Sequence, residues 1–134
     1  MEIVKTYINY YNGLQFEKIT DEILTIEKSI RYVRFIDENG KLIYDKVKKG
    51  KTLLQDQKDL GEFSSELHIM RQMQQLFDES LGIARFMHVI RDNVHQFVYY
   101  VDSMIIYVTC ERNTDPYNIM EIVNKISSIL NNLS

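Results

Sequence analysis

The chain predicts an α+β domain: a five-stranded antiparallel sheet flanked by helices, in the order α-β-β-α-β-β-β-α, with an extra helical segment at the N-terminus. Three observations carry this. Apolar residues recur at helical spacing over 16–30, over 58–81 and after Pro116. A strand–turn–strand unit spans Arg31–Val47. Three further strand-like runs fill Ile83–Cys110, and neighbouring strands joined this tightly favour antiparallel pairing.

Residues 3–14 place Ile3, Val4, Tyr7, Ile8, Tyr11 and Leu14 on one helical face, and Asn12-Gly13 offers a break. A second helix then carries Phe16, Ile19, Ile23, Ile26 and Ile30, a narrow stripe suited to lying on a sheet. Thr20 or Asp21 is a candidate cap for its start. We read the chain as a single domain over 1–134, with 1–15 as an N-terminal helical extension.

The stretch Arg31–Asp37 is β-prone, and Glu38-Asn39-Gly40 supplies a turn that tolerates positive φ. Lys41–Val47 returns antiparallel. Asp37 and Glu38 therefore read as turn chemistry. The helix predicted over 58–81 carries Leu60, Phe63, Leu67, Met70, Phe77 and Leu81 in one stripe, with Ile69, Met73 and Leu76 beside it. That apolar arc is wider than the roughly 100° a helix needs to cover one sheet. Either it fills a deep groove between sheet and neighbouring helix, or Ile69, Met73 and Leu76 meet a second copy of the same helix. Leu81-Gly82 is a stop.

Ile83–Arg91 and Val94–Tyr100 flank the turn candidate Asp92-Asn93, and Met104–Cys110 has the nearly continuous apolar composition of a central strand. Asp115 is placed to cap the last helix, with Pro116 at its first position.

Composition narrows the function. With 45% hydrophobic residues and a net charge of −3, the chain suits one folded core and lacks the basic stripe of a nucleic-acid binder. The densest basic run, Lys46–Lys51, falls where a surface loop is expected. No apolar run approaches the ~20 residues of a membrane span. The N-terminus lacks a signal-peptide pattern, and the single cysteine, Cys110, has no partner for a disulfide. These features point to the cytoplasm.

Chemistry-bearing residues are sparse. His68, His88 and His95 are dispersed, although the Asp92-Asn93 turn can bring His88 toward His95. A metal site needs two or three of them converging with a carboxylate, and alternation favours lone strand residues instead. Cys110 closes a buried strand with no cationic neighbour and reads as a core residue. Asp78, near a helix C-terminus where the dipole disfavours it, needs a partner such as Arg71 or Arg85. The five glycines, Gly13, Gly40, Gly50, Gly61 and Gly82, are isolated and form no phosphate loop. We expect no catalytic residue, no cofactor and no bound metal.

The segment order and the hairpin Val33-x-Phe35-Ile36-Asp37-Glu38-Asn39-Gly40-Lys41-Leu42-Ile43 resemble the roadblock/dynein-light-chain-7 family of the profilin-like group. The likeness covers about residues 16–131. Ile30-Arg31-Tyr32-Val33, Gly40-Lys41-Leu42, Leu53-Leu54 and Met70-Arg71 with Phe77–Gly82 are similar to small archaeal roadblock-like proteins. The resemblance implies homodimerisation through long helices and joined sheets, and binding to small GTPases or complexes containing them. It supplies no active-site residue. The strands here are richer in Tyr and His than that pattern, a departure that bears on the partner surface. The leading expectation is thus a non-enzymatic dimerising interaction module. The alternative is a profilin-like sensory domain holding a small ligand between sheet and helix, with His88, Tyr99 and Tyr107 as pocket residues.

Overall fold

The structure, a computed structural model, describes residues 2–133, with side chains from residue 13 onward. Its elements are α1 (Glu2–Ile26), β1 (Ile30–Ile36), β2 (Leu42–Val47), α2 (Gln57–Gln75), α3 (Asp78–Leu81), β3 (Phe86–Ile90), β4 (Val94–Val101), β5 (Met104–Glu111) and α4 (Pro116–Leu130). The strands form one antiparallel sheet in the order β2-β1-β5-β4-β3. The expected α+β class and strand count hold.

The break expected at Asn12-Gly13 does not occur, since α1 runs through it. Gly13 keeps a helical hand and its missing Cβ faces open space. One glycine costs a helix only about 1 kcal/mol against alanine. The apolar face expected of Ile3, Val4, Tyr7, Ile8 and Tyr11 lies outside the described side chains, and Leu14 is exposed. Thr20 and Asp21 sit within this helix rather than at its start. Ile30, expected as the last helical stripe residue, instead opens β1 opposite Cys110, where its β-branched side chain is fully buried.

The turn between β1 and β2 follows its chemistry. The Asp37 carboxylate accepts from the backbone N–H of Asn39 (2.8 Å) and Lys41 (2.9 Å), and Gly40 takes φ +80°. Asp115 caps α4 by accepting from the Tyr117 N–H. The expected basic loop is tied inward. Lys46 pairs with Asp21, Lys48 donates to the Glu27 carbonyl, and Lys51 joins Arg31 on Glu111.

Helices cover both faces of the sheet. On one, Phe16, Ile19 and Ile23 of α1 and Ile122 and Ile126 of α4 pack on Val33, Phe35, Phe97 and Val108. On the other, Leu60 and Leu67 of α2 pack on Ile36, Val98, Tyr100, Ile105 and Tyr107. Each such buried Leu, Ile or Phe contributes about 1.5–3 kcal/mol.

The helix predicted over 58–81 is split. An unforeseen cap, Asp56, receives the Asp59 N–H and starts α2, which stops at Gln75. Leu76 and Phe77 break the axis, and Gly82, at φ +84°, closes the four-residue α3 as expected of its position. The expected single stripe is therefore broken: Leu60 and Leu67 are buried, whereas Phe77 and Leu81 face outward.

Candidate interaction surface

The outward side of α2 is apolar where solvent-facing helices are normally polar. Ile69, Met73 and Leu76 are 56%, 62% and 78% exposed. Phe77, Leu81 and Ile83, next along the chain, are also exposed, as are Phe86 and Ile90 of β3, although Phe86 packs on Phe97 and Tyr99 on the opposite face of the sheet. Ile69, Met73 and Leu76, the residues singled out from sequence as a helix–helix contact, thus lie free of the sheet in the single chain. Exposed apolar side chains concentrated on one helix in this way are the kind of surface that a partner covers.

The C-terminal half of α2 is pinned while its outer side stays open. The Arg71 guanidinium donates to the carbonyls of Met104 (2.7 Å) and Asp102, and lies over the Tyr100 ring at 4.9 Å. Arg71 therefore braces the β4–β5 turn and forms no ion pair with Asp78. The break before α3 puts Asp78 at a helix start rather than at the end of a long helix, which removes the unfavourable placement inferred from sequence.

β3 is one of the two edge strands of the sheet, β2 being the other. The Arg91 N–H donates to the Val94 carbonyl, and the Tyr100 N–H to the Arg85 carbonyl. With Met87 opposite Val98 and Val89 opposite Gln96, the odd-numbered residues turn their backbone groups toward β4. Phe86, His88 and Ile90 consequently present their N–H and C=O groups to the open edge.

The alternative pocket does not assemble. His88 and Tyr99 lie on the α1/α4 face, and Tyr107 on the α2 face. Tyr99 donates its hydroxyl to the Val123 carbonyl (2.9 Å), and burial pushes its phenol well above the usual range. Tyr107 instead lines a groove of about 550 Å³ beside the α2 N-terminus, with Tyr32, Gln55, Phe63, Arg91 and Gln96. There the Gln96 amide donates to the Tyr107 hydroxyl (2.8 Å), which donates to Gln55 Oε1 (3.3 Å). Burial raises the Tyr107 phenol as well, against the lowering effect of the Gln96 bond.

His88 and His95 do meet across the β3–β4 hairpin, with Nε2 of His88 2.9 Å from Nδ1 of His95. His95 Nε2 lies 3.1 Å from the Arg112 carbonyl. Burial, and then the neighbouring His95, lower the His88 pKa from its ordinary value. His68 sits apart, against Gly40. Cys110 is buried beside Ser29 and Thr114, as a core thiol would be. Among the described residues no three His, Cys, Asp or Glu side chains gather as a metal site, and no helix is long and apolar enough to cross a membrane.

Sequence reasoning missed a buried network under α2. Arg34 of β1 is 4% exposed, and its guanidinium reaches Ser64 Oγ (2.9 Å), Tyr32 Oη (3.2 Å) and Asp45 Oδ2 (3.2 Å). Burial, with the hydrogen bond to Asp45, drives the Tyr32 phenol far above the usual range although Arg34 pulls it down. The available signal was an arginine alternating with Tyr32 and Ile36 on one strand face.

No protein-family model matches the sequence, and no curated protein matches it. Solved structures do match in shape. A roadblock/LC7 domain from Streptomyces avermitilis aligns with a TM-score of 0.61 at 9% identity, over 86% of this chain and 93% of that one. The gliding protein mglB from Thermus thermophilus aligns at 0.69 and 12% identity, over 91% and 87%. A structure described as MglB with tetrameric arrangement gives 0.69 and 10% identity over the same shares. Element order, strand order and these superpositions agree: the chain has the roadblock/LC7 fold.

Proposed function

We propose that this protein is a non-enzymatic, homodimerising interaction module that scaffolds or regulates a small GTPase or a complex containing one. The observation that carries the reading is the exposed apolar surface of Ile69, Met73 and Leu76, together with the open edge of β3. Two copies related by a two-fold axis would cover both at once, helix against helix and edge against edge. The tetrameric arrangement named for one structure of similar shape supports self-association. The GTPase part rests on the family resemblance of the sequence and of the fold.

Light scattering at micromolar concentration tests the dimer, with twice 16.0 kDa expected. Met73→Glu should return the mass to that of one chain with unchanged circular dichroism, because a charge buried in an apolar contact costs several kcal/mol. A wild-type monomer at all concentrations would overturn the reading. The GTPase arm calls for a pull-down from native lysate, read for a nucleotide-binding protein that is lost with Met73→Glu.

The groove around Tyr107 favours a second reading, a small ligand held between sheet and α2, since its volume suits one and its polar groups converge. A compound that raises the melting temperature of the wild type but not of Tyr107→Phe would support it.

A further inference from the structure

We propose that two copies of this chain, joined at β3, form a shared binding site for a divalent transition-metal ion from their two His88 imidazoles. The proposal deepens the dimer reading and rests on it. It starts from hydrogen-bond directions within one chain. The Arg112 carbonyl can only accept, so His95 Nε2 carries a proton and donates to it. In the neutral ring His95 Nδ1 then bears a lone pair, and the 2.9 Å contact requires His88 Nε2 to donate. His88 Nδ1 is left as an unprotonated nitrogen without a partner among the described residues. A ring whose far N–H is held by an acceptor while its near nitrogen keeps a free lone pair is the arrangement that orients and strengthens histidine ligands to metals.

The position of His88 supplies the second ligand. It is the central residue of Phe86–Ile90, and its backbone groups face the open edge. In an antiparallel pair of two β3 strands, one register satisfies the outward groups of Phe86, His88 and Ile90 in both copies. It sets Phe86 against Ile90, Met87 against Val89, and His88 against itself on the two-fold axis. Apolar residues then meet apolar residues, and the two His88 side chains emerge on the same face with Cα atoms about 5.5 Å apart. Two imidazole nitrogens at that spacing can share an ion that imidazole binds, such as Zn2+ or Cu2+, at about 2.0–2.1 Å, a weaker site than resident zinc centres with three or four protein ligands. His95 is a positioning residue: it touches no ion but fixes the tautomer of the ring that does.

The test uses the full chain after chelator treatment. Light scattering first establishes the mass without metal, and Zn2+ titration by calorimetry follows at pH 7.5. The expected result is a metal-free dimer that takes up one Zn2+ per two chains. His88→Ala should abolish uptake and leave the dimer, while His68→Ala should change nothing. His95→Phe should weaken binding about tenfold or more. If that variant fails to fold, Cu2+ on the wild type gives an independent reading, with paramagnetic resonance showing two equivalent imidazole nitrogens. A dimer that takes no Zn2+, takes one per chain, or binds equally well without His88 overturns the metal site alone. A monomer overturns the dimer reading and the site together.

Discussion

Arg34 Nε donates to Ser64 Oγ at 2.9 Å, joining the sheet to α2 through a buried guanidinium. Ser64 in turn donates to the Leu60 carbonyl one turn earlier (2.7 Å), so a single hydroxyl serves strand and helix. Both side chains are buried, and the charge is balanced by Asp45 on the neighbouring strand. The helix that carries the interaction surface is thereby fixed on the sheet by polar as well as apolar contacts.

Removing one partner leaves the rest of that network unsatisfied. Ser64→Ala should cost about 1–3 kcal/mol, the penalty of an unmet buried donor. Arg34→Ala should cost more, about 3 kcal/mol, because three hydrogen bonds to the guanidinium are lost together and Ser64 and Tyr32 stay buried. Urea unfolding followed by circular dichroism measures both. An Arg34→Ala variant as stable as the wild type would refute the role given to this network.

Arg71 holds the β4–β5 turn through two backbone carbonyls and the Tyr100 ring. Lysine cannot reproduce a planar fork that meets two acceptors while stacking on a ring. Arg71→Lys should therefore lose about 1–2 kcal/mol, near the worth of a charged hydrogen bond. Amide exchange should quicken at Asp102–Met104 in the same variant. Unchanged exchange there would show that the turn stands without it.

Gly40 is constrained twice. Its φ of +80° disfavours any side chain, and an added Cβ would lie 3.1 Å from His68 Cβ on α2. Gly40→Ala should destabilise the fold by about 1–3 kcal/mol. A paired His68→Gly should recover part of the loss beyond its own helix cost, because it removes the Cβ that makes the closest contact and so relieves only the steric component. A double-mutant cycle in thermal unfolding separates the two components.

Glu111 links acid stability to the basic loop. The hydrogen bond from Lys51, aided by Arg31, holds its carboxyl below the ordinary value of 4.5, against the opposing effect of burial. A carboxylate depressed in the fold binds protons more weakly there than in the unfolded chain. Its stabilisation is present above 4.5 and is lost as pH falls through the folded value. Glu111→Gln should lower stability at pH 7 and converge with the wild type as the pH drops below that range. Parallel urea midpoints for the two proteins from pH 7 to pH 3 would contradict this.

Local chemistry alone determined much of this molecule. The Asp37–Gly40 turn, the Asp115-Pro116 helix start, the Gly82 stop and the strand segments follow from turn geometry, capping and alternation. These depend on residues only a few positions apart. The continuity of α1 through Gly13 was not legible, because one glycine weakens a helix without obliging it to end. The split of the second helix at Leu76-Phe77 was equally hidden, since its apolar spacing continues to Leu81. Ile69, Met73 and Leu76 were legible as surplus apolar surface, but only the packing of Leu60 and Leu67 decided which side of α2 stays open. The pairing register of β3, β4 and β5 placed Tyr107 on the opposite face from His88 and Tyr99 and so dispersed the expected pocket. The same pairing set His88 against His95 and left His88 at the centre of a free edge. Such contacts join residues whose relation depends on which strands are neighbours and on which face each lies. That is fixed by how the whole sheet buries its two apolar faces, a property no single segment carries.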